Sequence, residues 1–210
     1  MNAPTSQPPH SAAFKASVLA HPQDVHCVVF DVLLKAAYAA AFAIYLKWDA
    51  IPRLAESGAA GKVAFCLAAA LMLGWCSGIN VGVNFHNHTH RKVFTRTWLN
   101  KWFGRFWTLS GGWPSYFWQH SHVTIHHAHL LDPEIDWTLM KRKPDGRFEN
   151  IYVYSLLHWP WRYAVGLWRD FSGGRWGPIG GVATRELLIF LALFSIPFWI
   201  DPIMALWLCV

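Results

Sequence analysis

Eight of the twelve histidines fall between His86 and His129. They form two groups: His86, His88 and His90, then His120, His122, His126, His127 and His129. Neutral imidazole is a good ligand for iron, copper, zinc and nickel, so metal chemistry is the first expectation. The same stretch contains no carboxylate: there is no Asp or Glu between Glu56 and Asp132. That argues against a zinc protease, which needs Glu inside an H-E-x-x-H pair; here the first group reads His86-Asn87-His88-Thr89-His90. It also argues against a ferritin-like site, whose helices supply Glu ligands.

Spacing selects the ligands. His86 and His90 stand at i,i+4, so on a helix both rings leave one face about one turn apart. His122 and His126 repeat that spacing, and His127 follows in a neighbouring direction suited to a second metal. The predicted metal and catalytic residues are therefore His86, His90, His122, His126 and His127. His88, His120 and His129 are expected as further ligands or as outer groups that orient ligands and carry protons. His158 lies on a separate amphipathic stretch and reads as an interface histidine.

The elements that must position these rings are apolar. Hydrophobic residues make up 54% of the chain and charged residues 14%, against about 25% charged in a soluble domain. Fourteen Trp suit a membrane–water interface, where the ring is half apolar and its N–H stays wet. The fold class expected is an all-α integral membrane protein. It has a transmembrane helical hairpin, a histidine-rich helical cap and amphipathic helices in the interface. Spans are expected at about 27–46, 63–85 and 187–210, with residues 1–24 a flexible, Pro-containing tail and 25–210 a single membrane domain. In the first span Asp31 and Lys35 are i,i+4 and can pair on one face, which lowers their cost in lipid. Small residues near the end of the second (Gly74, Ser77, Gly78, Gly82) allow close helix approach. From Trp98 to Trp107 apolar residues recur at helical spacing, the pattern of a helix lying in the interface. Pro160 is expected to kink the amphipathic stretch 151–168.

Thirteen of the 18 Lys and Arg lie between Arg91 and Arg185. With a net charge of +6, a basic chain could bind nucleic acid. In a membrane protein the same bias marks a cytoplasmic face, and block 86–185 is expected there. Cys27, Cys66, Cys76 and Cys209 sit in apolar runs without ligand spacing and read as small hydrophobes. Pro197, Asp201 and Pro202 interrupt the last run, which is expected to turn toward a fourth span. The run stops at Val210 without a polar tail, so the chain is expected to be the front part of a longer protein.

The two histidine groups resemble the histidine boxes of the membrane fatty acid desaturase and hydroxylase superfamily. His86 to His90 matches H-x(3–4)-H, and His122, His126 and His127 match H-x(2–3)-H-H. Trp118 before the second box and the run Asp132-Pro133-Glu134-Ile135-Asp136 after it are also similar to acyl-lipid desaturases. The resemblance covers roughly residues 27 to 210. It implies two non-haem iron ions held by imidazoles, dioxygen as co-substrate and removal of hydrogen from an unactivated C–H bond of a fatty acyl chain. It also implies an electron donor such as a ferredoxin or a cytochrome b5-like protein. Arg91, Lys92, Lys141, Arg142, Lys143 and Arg147 offer that donor, or anionic lipid, a basic face. The third box of the family, H-x-x-H-H, does not occur before Val210, so these residues alone are expected to bind iron poorly. A lipid hydroxylase or a carotenoid ketolase or hydroxylase shares the boxes. Outside the superfamily, a His-rich metal transporter or sensor and a haem electron carrier are the alternatives.

Overall fold

The computed structural model describes residues 18–130, 132, 134–174 and 180–209. The first 17 residues of the expected tail, Pro133 of the acidic run and the side chain of Cys209 lie outside the described residues. Regular structure among the described residues is helical, apart from the isolated antiparallel bridges Leu19–Phe94 and Arg142–Phe148.

Among the described residues three helices are long and apolar enough to cross a membrane: α1 (Asp24–Leu46), α2 (Gly58–His90) and α6 (Gly180–Ile200). Each starts before the run expected from hydropathy, and the third ends at Ile200, short of the expected 210. Between α2 and α6 lie α3 (Thr97–Gly111), α4 (115–127) and α5 (151–172), and α7 (Pro202–Cys209) follows α6. Trp75 and Trp199 on the long helices are 74% and 87% exposed, as side chains facing lipid would be.

Leu34, Ala41 and Tyr45 of α1 pack on Cys66 and Leu73 of α2 and on Met204 of α7. The expected turn after the third span is there. Asp201 stops α6, its Oδ1 accepts the Met204 N–H at 3.0 Å, and α7 with Pro202 at its first position returns onto α2. Cys27, Cys66 and Cys76 are free thiols.

A buried polar knot ties α1, α2 and α3 together. The expected pair forms, with Lys35 Nζ 2.5 Å from Asp31 Oδ1. The knot extends beyond it: Asn80 Nδ2 donates to Asp31 Oδ1 at 2.8 Å and Ser110 Oγ at 3.2 Å. The Lys35 ammonium also lies 4.3 Å above the centre of the Phe106 ring.

The segment 18–23 is not a loose tail. Ala20 N–H donates to Val93 O at 2.8 Å and Thr95 N–H to Val18 O at 3.0 Å. Asp24, buried at the start of α1, pairs with Arg91 just beyond α2 at 2.5 Å. Backbone pairing thus anchors a stretch whose composition alone suggests disorder.

The apolar face expected on α3 divides in two. Trp98, Trp102 and Phe106 are exposed, whereas Phe103 and Trp107 are buried, with Trp107 stacked on Phe85 at a centroid distance of 3.6 Å. α3 therefore serves both the lipid interface and the core. Gly112, with φ +69°, ends it in the left-handed conformation that glycine adopts without strain. In α5, Asn150 caps the start by accepting the N–H groups of Tyr152 and Val153. The expected disturbance near Pro160 takes the form of a π-helical turn at Tyr154–His158. A wider turn there accommodates the missing N–H of proline.

Candidate metal centre

Both histidine groups sit where the helix pitch changes. α2 passes through a π-helical segment, Asn80–Phe85, before the α-helical turn His86–His90. α4 begins as an α-helix at Ser115–Gln119 and becomes π-helical over His120–His127. Short π segments inside helices often occur at functional sites.

Four rings converge. His86 and His90 lie 4.9 Å apart between centroids, on the α-helical i,i+4 spacing expected. His122 approaches His86 at 4.5 Å, and His127 approaches His90 at 4.6 Å. His90 Nε2 and His127 Nε2 both stand 3.1 Å from His122 Nε2. One ligand atom from each of His86, His90 and His122 lies within 4.8 Å of the others.

The second group differs from its expected geometry. His122 was expected to share a face with His126 at i,i+4. The structure puts His127 closer, at 4.6 Å against 5.8 Å between ring centroids. The π turn is the cause, because its i→i+5 pitch stacks residues five apart. His126 flanks the cluster, 5.5 Å from His127.

The three residues expected as further ligands or outer groups are not among the rings that converge. His88 is buried between Phe85 and Phe103, and its Nδ1 accepts the Val93 N–H at 3.3 Å. Two residues from both His86 and His90 on a helix, it must face away from them. His120 is buried with Nε2 3.1 Å from Asp170 Oδ2. His129 is exposed beyond the π segment. His158 bonds Glu149 within an Arg162 ion pair.

The carboxylates missing from the histidine stretch arrive from farther along the chain. Asp136, 1% exposed, places Oδ2 2.7 Å from His126 Nδ1. Asp170 of α5 holds His120 and also accepts the Trp137 Nε1–H at 3.1 Å. Sequence reasoning assigned neither a role. The acidic run ending at Asp136 was visible, but the partner of that carboxylate was not. Burial pushes the His122 imidazole down to about 4, and the neighbouring His86 and His127 rings add to the effect. Burial also pushes the Tyr163 hydroxyl up, against its bond with Ser121. Trp118, the tryptophan before the second group, stacks on His122 at 5.0 Å.

The donor set suits a metal. A neutral imidazole nitrogen offers one lone pair or one N–H, so His122 Nε2 can satisfy only one of its two close ring neighbours. Two imidazoles bound to one metal at about 2.1 Å, at angles of 90–110°, hold their nitrogens roughly 3.0–3.4 Å apart. The observed 3.1 Å fits that spacing.

Long apolar helices with an imidazole cluster at the end of α2 define a membrane protein built around a histidine site able to hold metal. Residues 62–210 match the family model described as fatty acid desaturase. That is more than half of the chain, and the protein belongs to this family, whose function is of the desaturase or hydroxylase type. No curated protein and no solved structure matches the chain.

Proposed function

We propose that this protein is an oxygen-dependent fatty acyl desaturase whose histidine cluster holds two non-haem iron ions. The observation that carries this reading is the approach of His90 and His127 Nε2 to His122 Nε2, with His86 beside them, in a chain of this family. Bound iron would supply the activation of dioxygen and the oxidation of an unactivated C–H bond. Making the double bond removes two hydrogens from the acyl chain. With two electrons and two protons from a donor, dioxygen then leaves as two waters.

The protein's own contribution is ligation, orientation and exclusion of water. His86, His90, His122, His126 and His127 are the proposed ligands. Trp118 fixes the plane of the His122 ring. The buried Phe85–Trp107 stack, with Phe103 and His88, packs on the opposite side of the turn that carries His86 and His90. Among α1, α2, α3 and α6 lies a cavity of about 620 Å³, lined by residues such as Phe42, Gly74, Leu193 and Phe194 and by none of the histidines. Its size and apolarity suit an acyl chain.

The histidine end faces the cytoplasm in this reading, because most Lys and Arg lie in block 86–185. Exposed Lys141, Arg142, Lys143 and Arg147 form a hairpin closed by the Arg142–Phe148 bridge. They offer a docking face to an acidic electron donor such as a ferredoxin or a cytochrome b5-like protein.

The test combines metal analysis of the full-length native protein, purified in detergent, with product analysis on acyl lipid and on carotenoid; residues 1–210 alone are expected to bind iron poorly. About two irons per chain and an unsaturated acyl product are expected. A hydroxylated lipid or an oxidised carotenoid would move the reaction within the superfamily. Zinc or nickel in place of iron, with no oxygen-dependent turnover, would overturn the reading in favour of a transporter or sensor.

A further inference from the structure

Asp136 belongs to no helix and is 1% exposed, yet both of its oxygens are used. Oδ1 accepts the Thr138 backbone N–H at 3.0 Å and the Thr138 hydroxyl at 2.5 Å. Oδ2 lies 2.7 Å from His126 Nδ1, and the Thr138 hydroxyl, which donates to Oδ1, is the more distant neighbour of that nitrogen at 3.3 Å. The loop is held in turn by Tyr154, whose hydroxyl donates to Thr138 O. A carboxylate only accepts, so the short contact at Oδ2 is made by an Nδ1–H donor, and the neutral imidazole then carries its lone pair on Nε2.

We propose that Asp136 is the positioning residue for His126, fixing the ring with Nδ1 protonated and Nε2 as its ligand atom. His126 stands apart from the other proposed ligands in this respect. His90, His122 and His127 orient one another through Nε2 contacts of 3.1 Å, whereas His126 lies at the margin of the cluster and is oriented from outside. An anionic partner on the far nitrogen also makes the ring a stronger ligand. The ligand role of His126 rests on the function proposed above; the orientation imposed by Asp136 does not.

The test reads orientation and metal separately. Histidine ¹⁵N spectra of the metal-free protein in detergent, with the His126 signal identified by loss in His126→Gln, report its tautomer. The wild type is expected to show Nδ1–H. Asp136→Asn can turn its amide donor toward Nδ1, and should reverse the tautomer to Nε2–H. Thr138→Val, which keeps the carboxylate, should leave Nδ1–H in place. Iron affinity of Asp136→Asn should fall roughly 10–100-fold, with most of it recovered in Asp136→Glu. A carboxylate that only braced the loop would lower thermal stability without reversing the tautomer. Nε2–H in the wild type, or Nδ1–H persisting in Asp136→Asn, overturns the proposal. The wild-type spectrum decides even if Asp136→Asn fails to fold. A reversal in protein that binds no iron would uphold the orientation and sink the iron reading.

Discussion

Two polar clusters lie among the helices of this protein, and they are built on opposite principles. The Asp31 knot joins a cation to an anion. Lys35, Asn80 and Ser110 all aim their donors at Asp31 Oδ1. The histidine cluster joins like to like: His90, His122 and His127 turn the same nitrogen toward one another, with no opposite charge between them. The first arrangement closes three helices into a bundle through Asp31 Oδ1, leaving Asp31 Oδ2 buried without a hydrogen-bond partner. The second leaves lone pairs and N–H groups in competition, which a bound metal would resolve. The knot is buried and joins opposite charges, whereas His90 and His127 of the histidine cluster are exposed and open to a ligand.

Four substitutions test that contrast, from the largest expected effect to the smallest. His122→Ala removes the central ring and should lower iron content by more than the roughly 10–100-fold that loss of an outer partner causes. The metal-free protein should melt within a few degrees of wild type, as elemental analysis and thermal unfolding in detergent would show together. A large loss of stability with metal retained would assign the cluster to structure.

Asp31→Ala should do the reverse. It strands the Lys35 ammonium inside the bundle, and breaking one side of a buried pair costs about 3–5 kcal/mol. The melting temperature should fall markedly. Replacing both partners, Asp31→Leu with Lys35→Met, should restore most of it. If the double variant is as unstable as the single one, pairing is not what the knot contributes.

Gly166→Ala probes the support of the histidine side. A Cβ there would meet the Trp137 ring at 2.2 Å, and overpacking of this kind costs about 1–3 kcal/mol. Because Trp137 also donates to Asp170, the partner of His120, the change should loosen α5 from α4. Greater protease sensitivity within residues 132–150 would show it. Unchanged melting and unchanged cleavage would mean that the Trp137 contact is slack.

Glu149→Gln should have the smallest effect, and it is set by pH. Burial favours the neutral acid, but Arg162, the Lys141 N–H and His158 outweigh it and hold the carboxyl at about 2. A lowered value adds stability above the ordinary carboxylate range, and that stability is lost as pH falls from about 4.5 to about 2. Wild type and variant should therefore differ slightly at pH 7 and converge near pH 2. A gap that persisted to pH 2 would exclude the carboxylate charge as its source.

The sequence by itself determined the membrane class, the approximate spans, both histidine groups and the Asp31–Lys35 pair. These are local properties. Partitioning into lipid sums residue by residue, and an i,i+4 pair needs only one helical turn. The tertiary structure alone decided which rings meet. A π insertion rotates everything after it by about 100° relative to an α-helix, so His127 replaces His126 beside His122. Helix direction turned His88 away from the site. Carboxylates 10 and 50 residues downstream, Asp136 and Asp170, reach His126 and His120. Asn80 and Ser110, 49 and 79 residues from Asp31, complete the knot. Contacts across such separations depend on how helices pack, and no local pattern of residue types encodes that.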